Sequence, residues 1–295
     1  MELANLHAFV AIAEYGSFSS AAEKLYLTQP AISKRIAQLE SELEVKLFDR
    51  IGRGVQMTLA GQTLHQRSIQ ILQEVEDTRR AIVSLTDTVS GQLLMATSHH
   101  IALHRLPIYL KQYKEQFPQV TLDLKFTDSE SGCRSVENGE LEFAVVTLPS
   151  QTKPPLKSIT LWEDELAIVV APDHPLNFSQ PLSVAELLRY DAIMPEQGTF
   201  TWEIVHKEFE TEQRRIKVGL TSNYLETIKM LVSVGLGWSI LPKSLLEHSE
   251  LVILKLNNLQ LSRNLGIVYH QNKTLSNAAQ EFINILRNEN ITSHL

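Results

Sequence analysis

The chain has 295 residues, 43% hydrophobic and 21% charged, with a formal net charge of −7. That is ordinary globular composition, and the length fits two or three compact units that each bury a core. The single cysteine, Cys133, excludes an intramolecular disulfide and fits a reducing cytoplasm.

The first twenty residues, MELANLHAFVAIAEYGSFSS, begin with an acid, and their apolar residues are broken by His7 and Glu14. They are neither a signal peptide nor a membrane span, and no other window is continuously apolar, so the protein is expected in the cytoplasm without a membrane partner. Residues 1–90 carry 9 Lys+Arg against 11 Asp+Glu. Net charge therefore says nothing for nucleic acid, and only patterning does. No acid falls between Lys24 and Arg35, or between Arg50 and Arg67.

Leu3, Leu6, Phe9, Val10 and Ala13 repeat at helical spacing and predict a first helix ending near Tyr15-Gly16. Ser20 and Glu23 have capping-box spacing, which starts a second helix at Ser19 or Ser20 and runs it to about Leu25. Thr28 caps a third helix with Pro30 in its first turn, where a missing N–H costs nothing. Two short helices joined by a tight turn form helix-turn-helix patterning. KLFDRIGRGVQMT then alternates as a β-hairpin about Gly52-Arg53-Gly54.

Thr58 caps a long helix expected to reach about Val89. Its heptad a positions are Leu64, Ile71, Thr78 and Leu85, and its d positions are Ser68, Val75, Ile82 and Val89. This is read as a pairing seam rather than a helix packed only on its own domain.

After Ser90-Gly91 strands and helices alternate. Strands are expected at Leu93–Thr97, Val120–Phe126, Glu142–Thr147, Leu166–Ala171, Ala192–Met194, Ile216–Leu220, Trp238–Leu241 and Leu265–His270. Helices are expected at Ile101–Phe117, just before Glu142, and at Val184–Leu188, Phe200–Glu210, Leu225–Val234 and Ala278–Leu286. Repeated β-α-β order of this kind indicates parallel sheet covered by helices, here in two α/β lobes.

On a helical wheel Ile32, Ile36 and Leu39 fall within about 60° and face a core. Pro30, Lys34, Ala37 and Gln38 lie opposite with Ser33 beside them, while Arg35 sits near the core edge. A face of small residues flanked by Ser, Lys and Gln can enter a major groove. The wheel alone does not separate this from an ordinary solvated face; the neighbouring turn and the Arg50/Arg53 hairpin favour DNA.

The run FVAIAEYGSFSSAAEKLYLTQPAISKRIAQLESELEVKLFDRIGRGVQMTLAG resembles the head of LysR-type transcriptional regulators. It carries in order AA-x-x-L, the TQPAIS segment, I-x-x-LE, LF-x-R and T-x-A-G. One departure is Glu44, where the family usually has glycine, which leaves that turn either strained or differently shaped. Further on, MATSHHIALHRLPIYLKQYKEQFPQVTLDLKF, GELEFAVV and VSVGLGWSILPKSL are similar to the family's C-terminal elements, with Glu142 in place of the common Asp. The resemblance spans essentially the whole chain.

It implies a winged helix-turn-helix over 1–58, a linker or dimerisation helix over 59–90, and a two-lobed, periplasmic-binding-protein-like α/β effector domain over 91–295. Lobe I would take about 91–161 and 267–295, and lobe II about 162–266. Thr28, Gln29, Pro30, Ser33 and Lys34 would meet the major groove of double-stranded DNA, with Arg50 and Arg53 at phosphates or the minor groove. A homodimer or homotetramer is implied, with RNA polymerase as a further partner.

In open α/β sheets ligands bind beyond the carboxyl ends of strands, near helix N-termini. The loop Thr97–His100, Thr147, and Gly198-Thr199 occupy such points. With the resemblance, the effector candidates are Ser98, His100, Thr127, Thr147 and Thr199, with Asn223 and Tyr224 behind them, for a small polar or anionic metabolite. A helix cap is the plain alternative for each hydroxyl. ATSHH is most similar to the family's sulfur-regulating branch, although His100 stands where that branch has Thr. His99-His100 have no Cys or acidic cluster at ligand spacing, so neither a metal nor a cofactor is expected, and His99 reads as surface or packing. The chain has no G-x-G-x-x-G, P-loop, G-x-S-x-G or H-E-x-x-H, and Cys133 reads as structural, so an enzyme is not expected. A pure solute-binding protein fits the lobes but not the head.

Overall fold

A computed structural model describes residues 1–51, 54–83, 88–178, 182–209, 215–256 and 259–292. The chain divides into two compact units, Met1–Leu85 and Thr86–Leu295, each with its own core.

The first unit comprises α1 (Leu3–Tyr15), α2 (Phe18–Lys24), α3 (Gln29–Leu43), β1 (Phe48–Ile51), β2 (Gly54–Met57) and α4 (Leu59–Val83). Gly16, at φ +69°, stops α1 by donating its N–H to Ile12. The cap of α2 is Ser17 rather than Ser19 or Ser20; its Oγ accepts the Ser20 N–H at 3.0 Å. Starting there turns Ala21 and Ala22 into the core. That core gathers Leu6, Phe9, Ile12, Ile32, Ile36, Leu39 and Phe48, with the Phe9 and Phe48 rings 5.1 Å apart. β1 and β2 form the expected hairpin, with Phe48 opposite Met57 and Ile51 opposite Gly54. Its tip, Gly52-Arg53, lies outside the described residues.

Thr58 joins the hairpin to α4. Its hydroxyl donates to Lys46 O at 2.7 Å and accepts the Gly61 N–H at 3.0 Å. Gly61 has no room for a side chain, since a Cβ would stand 2.2 Å from Leu47 O. The seam assigned to α4 divides into two parts. Leu64 and Ile71 pack on the head's own core, whereas Val75 and Ile82 are exposed by 39% and 63%. Leu85 lies outside the described residues. The helix does not reach Val89, because residues 88–90 are not helical and Val89 packs against the core of the second unit.

At the end of α3, Glu44 adopts the left-handed conformation itself, φ 55° and ψ 25°, and its N–H bonds Glu40 O. The turn has the shape glycine would give and retains the strain of a side chain there. The Glu40 carboxylate anchors it, accepting the Leu47 N–H at 2.9 Å and Lys46 Nζ at 2.6 Å. Burial pushes the pKa of that carboxyl up, but these bonds and the Lys46 charge outweigh it and hold the value below the usual range.

The second unit begins with β3 (Gln92–Thr97), α5 (His99–His104), α6 (Pro107–Gln116), β4 (Thr121–Phe126), α7 (Ser129–Glu137), β5 (Phe143–Thr147) and β6 (Leu156–Val170). It continues through α8 (Val184–Leu187), β7 (Ala192–Met194), α9 (Phe200–Phe209), β8 (Val218–Thr221), α10 (Leu225–Ser233) and β9 (Ser239–Pro242). β10 (Val252–Leu254), β11 (Leu261–His270) and α11 (Asn277–Thr292) complete it. The single helix expected over Ile101–Phe117 is two, α5 and α6. Pro107 opens the second, where the N–H it lacks needs no helical partner, and without that N–H it cannot continue the ladder of α5.

The sheets are mixed rather than uniformly parallel. β3 runs parallel to β4 and β5, and β7 to β8, but β11 is antiparallel to β5 and β6, and β9 and β10 are antiparallel to β6. The departure arises from β6 and β11, which are longer than the apolar runs that mark them and cross between two lobes. Leu161 and Leu265 belong to a core with Met95, Tyr113, Phe143 and Phe282. Leu166 and Leu261 belong to a second core with Val205, Phe209, Trp238 and Ile240. The ladder slips register between Leu265 and Gly266, where a Cβ would stand 2.1 Å from Ile159 O.

Glu44→Gly is expected to stabilise the head by roughly 0.5–1 kcal/mol, because glycine removes the left-handed strain and gives back part of the gain as unfolded-state entropy. Urea denaturation followed on the full chain checks this, and a lower midpoint for the variant would refute it.

Candidate functional site

On α3 the core face and the free face separate cleanly. Ile32, Ile36 and Leu39 are buried, while Thr28, Gln29, Pro30, Lys34, Ala37 and Gln38 are exposed and Ser33 is half-buried. Thr28 Oγ1 accepts the Ala31 N–H at 3.4 Å, so it caps the helix from the exposed side. Arg35 turns back to donate to Ala4 O at 3.4 Å. Arg50 lies on β1 opposite Val55, and Arg53 lies outside the described residues. Sequence reasoning passed over Tyr26, in the turn before α3, which is 94% exposed at φ 54°. An aromatic residue held in left-handed backbone and open to solvent was its only signal.

In the second unit a cleft of about 600 Å³ opens between the lobes. Ser98, His100, Thr127, Thr147, Thr199, Asn223 and Tyr224 all line it, and they come from five separate segments. Their hydroxyls differ in what they are doing. The Ser98 side chain makes no capping bond to α5. Thr199 is a cap: its hydroxyl donates to Glu196 O at 2.9 Å and accepts the Trp202 N–H at 3.2 Å. Asn223 is also committed, since it accepts the Glu196 N–H at 3.0 Å and donates to the Glu196 carboxylate at 3.1 Å. Thr147 is buried, with its N–H on Ser129 Oγ at 3.1 Å.

Arg263 lines the floor of the site with Asp164 bonded behind it, and no sequence motif marks either. They face each other in the β6–β11 ladder. Arg263 Nε and Nη2 donate to Asp164 Oδ2 at 2.9 and 2.8 Å, Nη1 donates to Thr201 Oγ1 at 3.0 Å, and Arg105 Nη2 reaches Asp164 Oδ1 at 3.3 Å. Burial draws the guanidinium pKa down, and the Asp164 charge works against that. His100 is 6% exposed and stands 4.0 Å from Asp164 through Nε2. Its pKa is lowered to about 4, first by burial and then by Arg263, with Asp164 opposing, so the ring is neutral at neutral pH.

Two further contacts cross the cleft. Glu130 on α7 accepts the Phe200 N–H, the first of α9, at 2.5 Å. Burial raises its pKa, and that backbone bond only partly offsets the rise. His104 on α5 bonds Glu226 on α10 at 2.9 Å. His99 is exposed and sets its ring edge against Tyr224, 5.3 Å between centroids. The acid that the two histidines lack in sequence is thus brought to them by the fold. Cys133 is buried, and burial, ahead of the nearby Glu130 and Glu137 charges, pushes its thiol up to about 12, which leaves it unreactive.

Asp164→Asn leaves Arg263 buried and uncompensated, and is expected to cost about 3–5 kcal/mol of stability. Denaturant unfolding of the full chain, with Lys217→Gln in an exposed ion pair as the control, measures the difference. Equal midpoints for the two variants would show that the pair does not hold the floor together.

Residues 3–62 match the family model of the bacterial regulatory helix-turn-helix protein, lysR family, and residues 86–290 match that of the LysR substrate binding domain. A probable RuBisCO transcriptional regulator of Synechocystis sp. is 30% identical over 290 residues, covering 95% of this chain and 84% of that protein. An uncharacterized HTH-type transcriptional regulator of Azotobacter vinelandii, from an ibpB-leuC intergenic region, is 62% identical over 107 residues, 36% of this chain and 74% of that protein. A full-length OxyR variant from Pseudomonas aeruginosa shares the fold, with a TM-score of 0.72 at 21% identity, covering 98% of this chain and 94% of that one. With a helix-turn-helix head and a LysR substrate-binding domain accounting for most of its length, the protein belongs to the LysR family of transcription regulators rather than to any enzyme family.

Proposed function

We propose that the protein is a cytoplasmic homo-oligomeric regulator that grips operator DNA through Thr28, Gln29, Pro30, Ser33 and Lys34, with Arg50 and Arg53 on the flanking backbone. A small polar metabolite carrying an anionic group, held by Ser98, His100, Thr127, Thr147 and Thr199 with Asn223 and Tyr224, changes how the paired heads space and bend the DNA. RNA polymerase is the further partner through which such a bend acts.

The observation that carries the effector assignment is the convergence of five chain segments on one cleft around a buried Arg263. Ser98, whose hydroxyl is not used as a cap, and the turn into α5 offer donors to an anionic group. Asp128, Glu130 and Glu196 also line the cleft and repel a bare polyanion. A ligand with both an anionic group and hydroxyl donors satisfies both walls, and that leads away from the simple anions suggested by the sulfur-regulating resemblance. No helix among the described residues is long and apolar enough to cross a membrane. Exposed Val75 and Ile82, one heptad apart on α4, support pairing of two chains along that helix.

Ser33→Ala and Lys34→Ala should each weaken binding to a palindromic fragment from the upstream region by about 10-fold, an energy of roughly 1.4 kcal/mol. Lys34→Ala should also reduce the slope of log affinity against log salt by about one. Gel-shift titration at several salt concentrations reads both effects, and unchanged affinity in the two variants overturns the DNA face. For the cleft, a thermal-shift screen of small hydroxy acids and inorganic anions identifies the best stabiliser. Ser98→Ala should abolish most of that shift, and an undiminished shift overturns the pocket assignment.

A further inference from the structure

His100 and His104 lie four residues apart on α5, so both rings rise from one face of the helix. Their centroids are 4.9 Å apart. Glu226, in the first turn of α10, reaches the same point from the opposite lobe. One ligand atom from each of the three residues lies within 4.8 Å of the other two.

Two features separate this trio from an ordinary surface ion pair. His100 is 94% buried, and neither of its ring nitrogens has a hydrogen-bond partner, an arrangement that costs free energy unless something binds there. Glu226 Oε2 is also buried without a hydrogen-bond partner, while its Oε1 meets His104 Nε2 at 2.9 Å. Three nitrogen or oxygen donors at about 2.0–2.2 Å around one ion stand roughly 3.4 Å from one another. The trio therefore needs to close by at most about 1.4 Å, within reach of small side-chain rotations.

We infer that His100, His104 and Glu226 form a binding site for one divalent transition-metal ion of the zinc class. Two imidazoles four residues apart on a helix with a distant carboxylate is a donor set suited to such an ion, whereas calcium and magnesium want oxygen ligands. Asp164, whose Oδ2 stands 4.0 Å from His100 Nε2, is the nearest outer carboxylate behind that ring. His99 Nδ1, 3.8 Å from Glu226, is its counterpart on the acid. The fourth coordination position belongs to water or to a donor from the adjoining cleft, which His100 also lines. Bound there, the ion ties α5 of one lobe to α10 of the other and favours the closed arrangement of the lobes.

The test uses the full chain stripped with a chelator and titrated with Zn²⁺ against a chromophoric competitor, with no DNA or effector present. One ion per chain is expected, with affinity falling at least 100-fold in His104→Ala and in Glu226→Gln and unchanged in His7→Ala. His104 and Glu226 are 40% and 36% exposed, so these replacements leave the cores filled, and far-ultraviolet circular dichroism verifies the fold. Co²⁺ loaded in place of Zn²⁺ should give the strong visible absorption of a four-coordinate site, lost in both variants. Binding that is absent, or that survives both substitutions, overturns the site and leaves His104–Glu226 as an ion pair only. Because the readout is metal affinity, its failure leaves the DNA and effector assignments standing, and theirs leaves it standing.

Discussion

The second unit depends on one buried ion pair. Asp164 and Arg263 are nearly inaccessible, and each would cost several kcal/mol to desolvate alone. They are tolerated because they satisfy each other with two donors on one oxygen, while Arg105 and Thr201 take up what is left. The partners sit opposite each other where β6 and β11 leave one core for the other. Arg105 comes from the turn between α5 and α6, and Thr201 from α9. Four segments from both lobes are therefore set by a single pair of charges, and the cleft floor inherits that geometry.

Burial, with the Arg263 charge behind it and Asp164 opposing, sets the state of His100. A half-exposed histidine would hydrogen-bond water and share a proton near neutral pH. This one is walled off beside a guanidinium, so it stays neutral, with one ring nitrogen available as an acceptor or ligand and the other as an N–H donor. A neutral imidazole next to Ser98 gives the cleft a polar donor and acceptor without adding another charge to a wall that already holds Asp128, Glu130 and Glu196.

Elements with a local cause were legible in the sequence. The head's helices follow from apolar spacing and caps such as Thr28 and Thr58, whose capping bonds reach only three residues. The start of α2 was misjudged because Ser17, Ser19 and Ser20 are all competent caps, and burial of Ala21 and Ala22 decides among them. Glu44 shows the limit of a local rule: the left-handed stop is imposed by packing and by the Glu40 anchor even though the residue disfavours it. The heptad reading ran on to Val89 because periodicity cannot register that a helix has ended and another core has begun. The apolar pattern marks only the last third of β6, since Lys157, Glu163, Asp164 and Glu165 make the rest look like surface. Arg263 and Asp164 are 99 residues apart, and His104 and Glu226 are 122 apart. Each resembles a solvated charge in its own neighbourhood, and only the crossing of β6 and β11 and the meeting of α5 and α10 give them partners.

The contacts between the lobes fall into two kinds, and the division suits a switch. The Asp164–Arg263 pair is dry, and opening it would expose uncompensated charge, which favours keeping it when the lobes move. His104–Glu226 is half in water, where such pairs contribute about 0–1 kcal/mol, and Glu130 holds a single backbone N–H at the start of α9. Contacts this weak can be exchanged by a bound ligand whose preference for one arrangement is only a few kcal/mol, enough to shift a population by a hundredfold or more. The strands through the floor hold the lobes in register, and the contacts at the rim decide how closely they approach. Sensing therefore requires no change at the buried pair: a ligand in the cleft, or an ion at its edge, need only act on groups that water already half solvates.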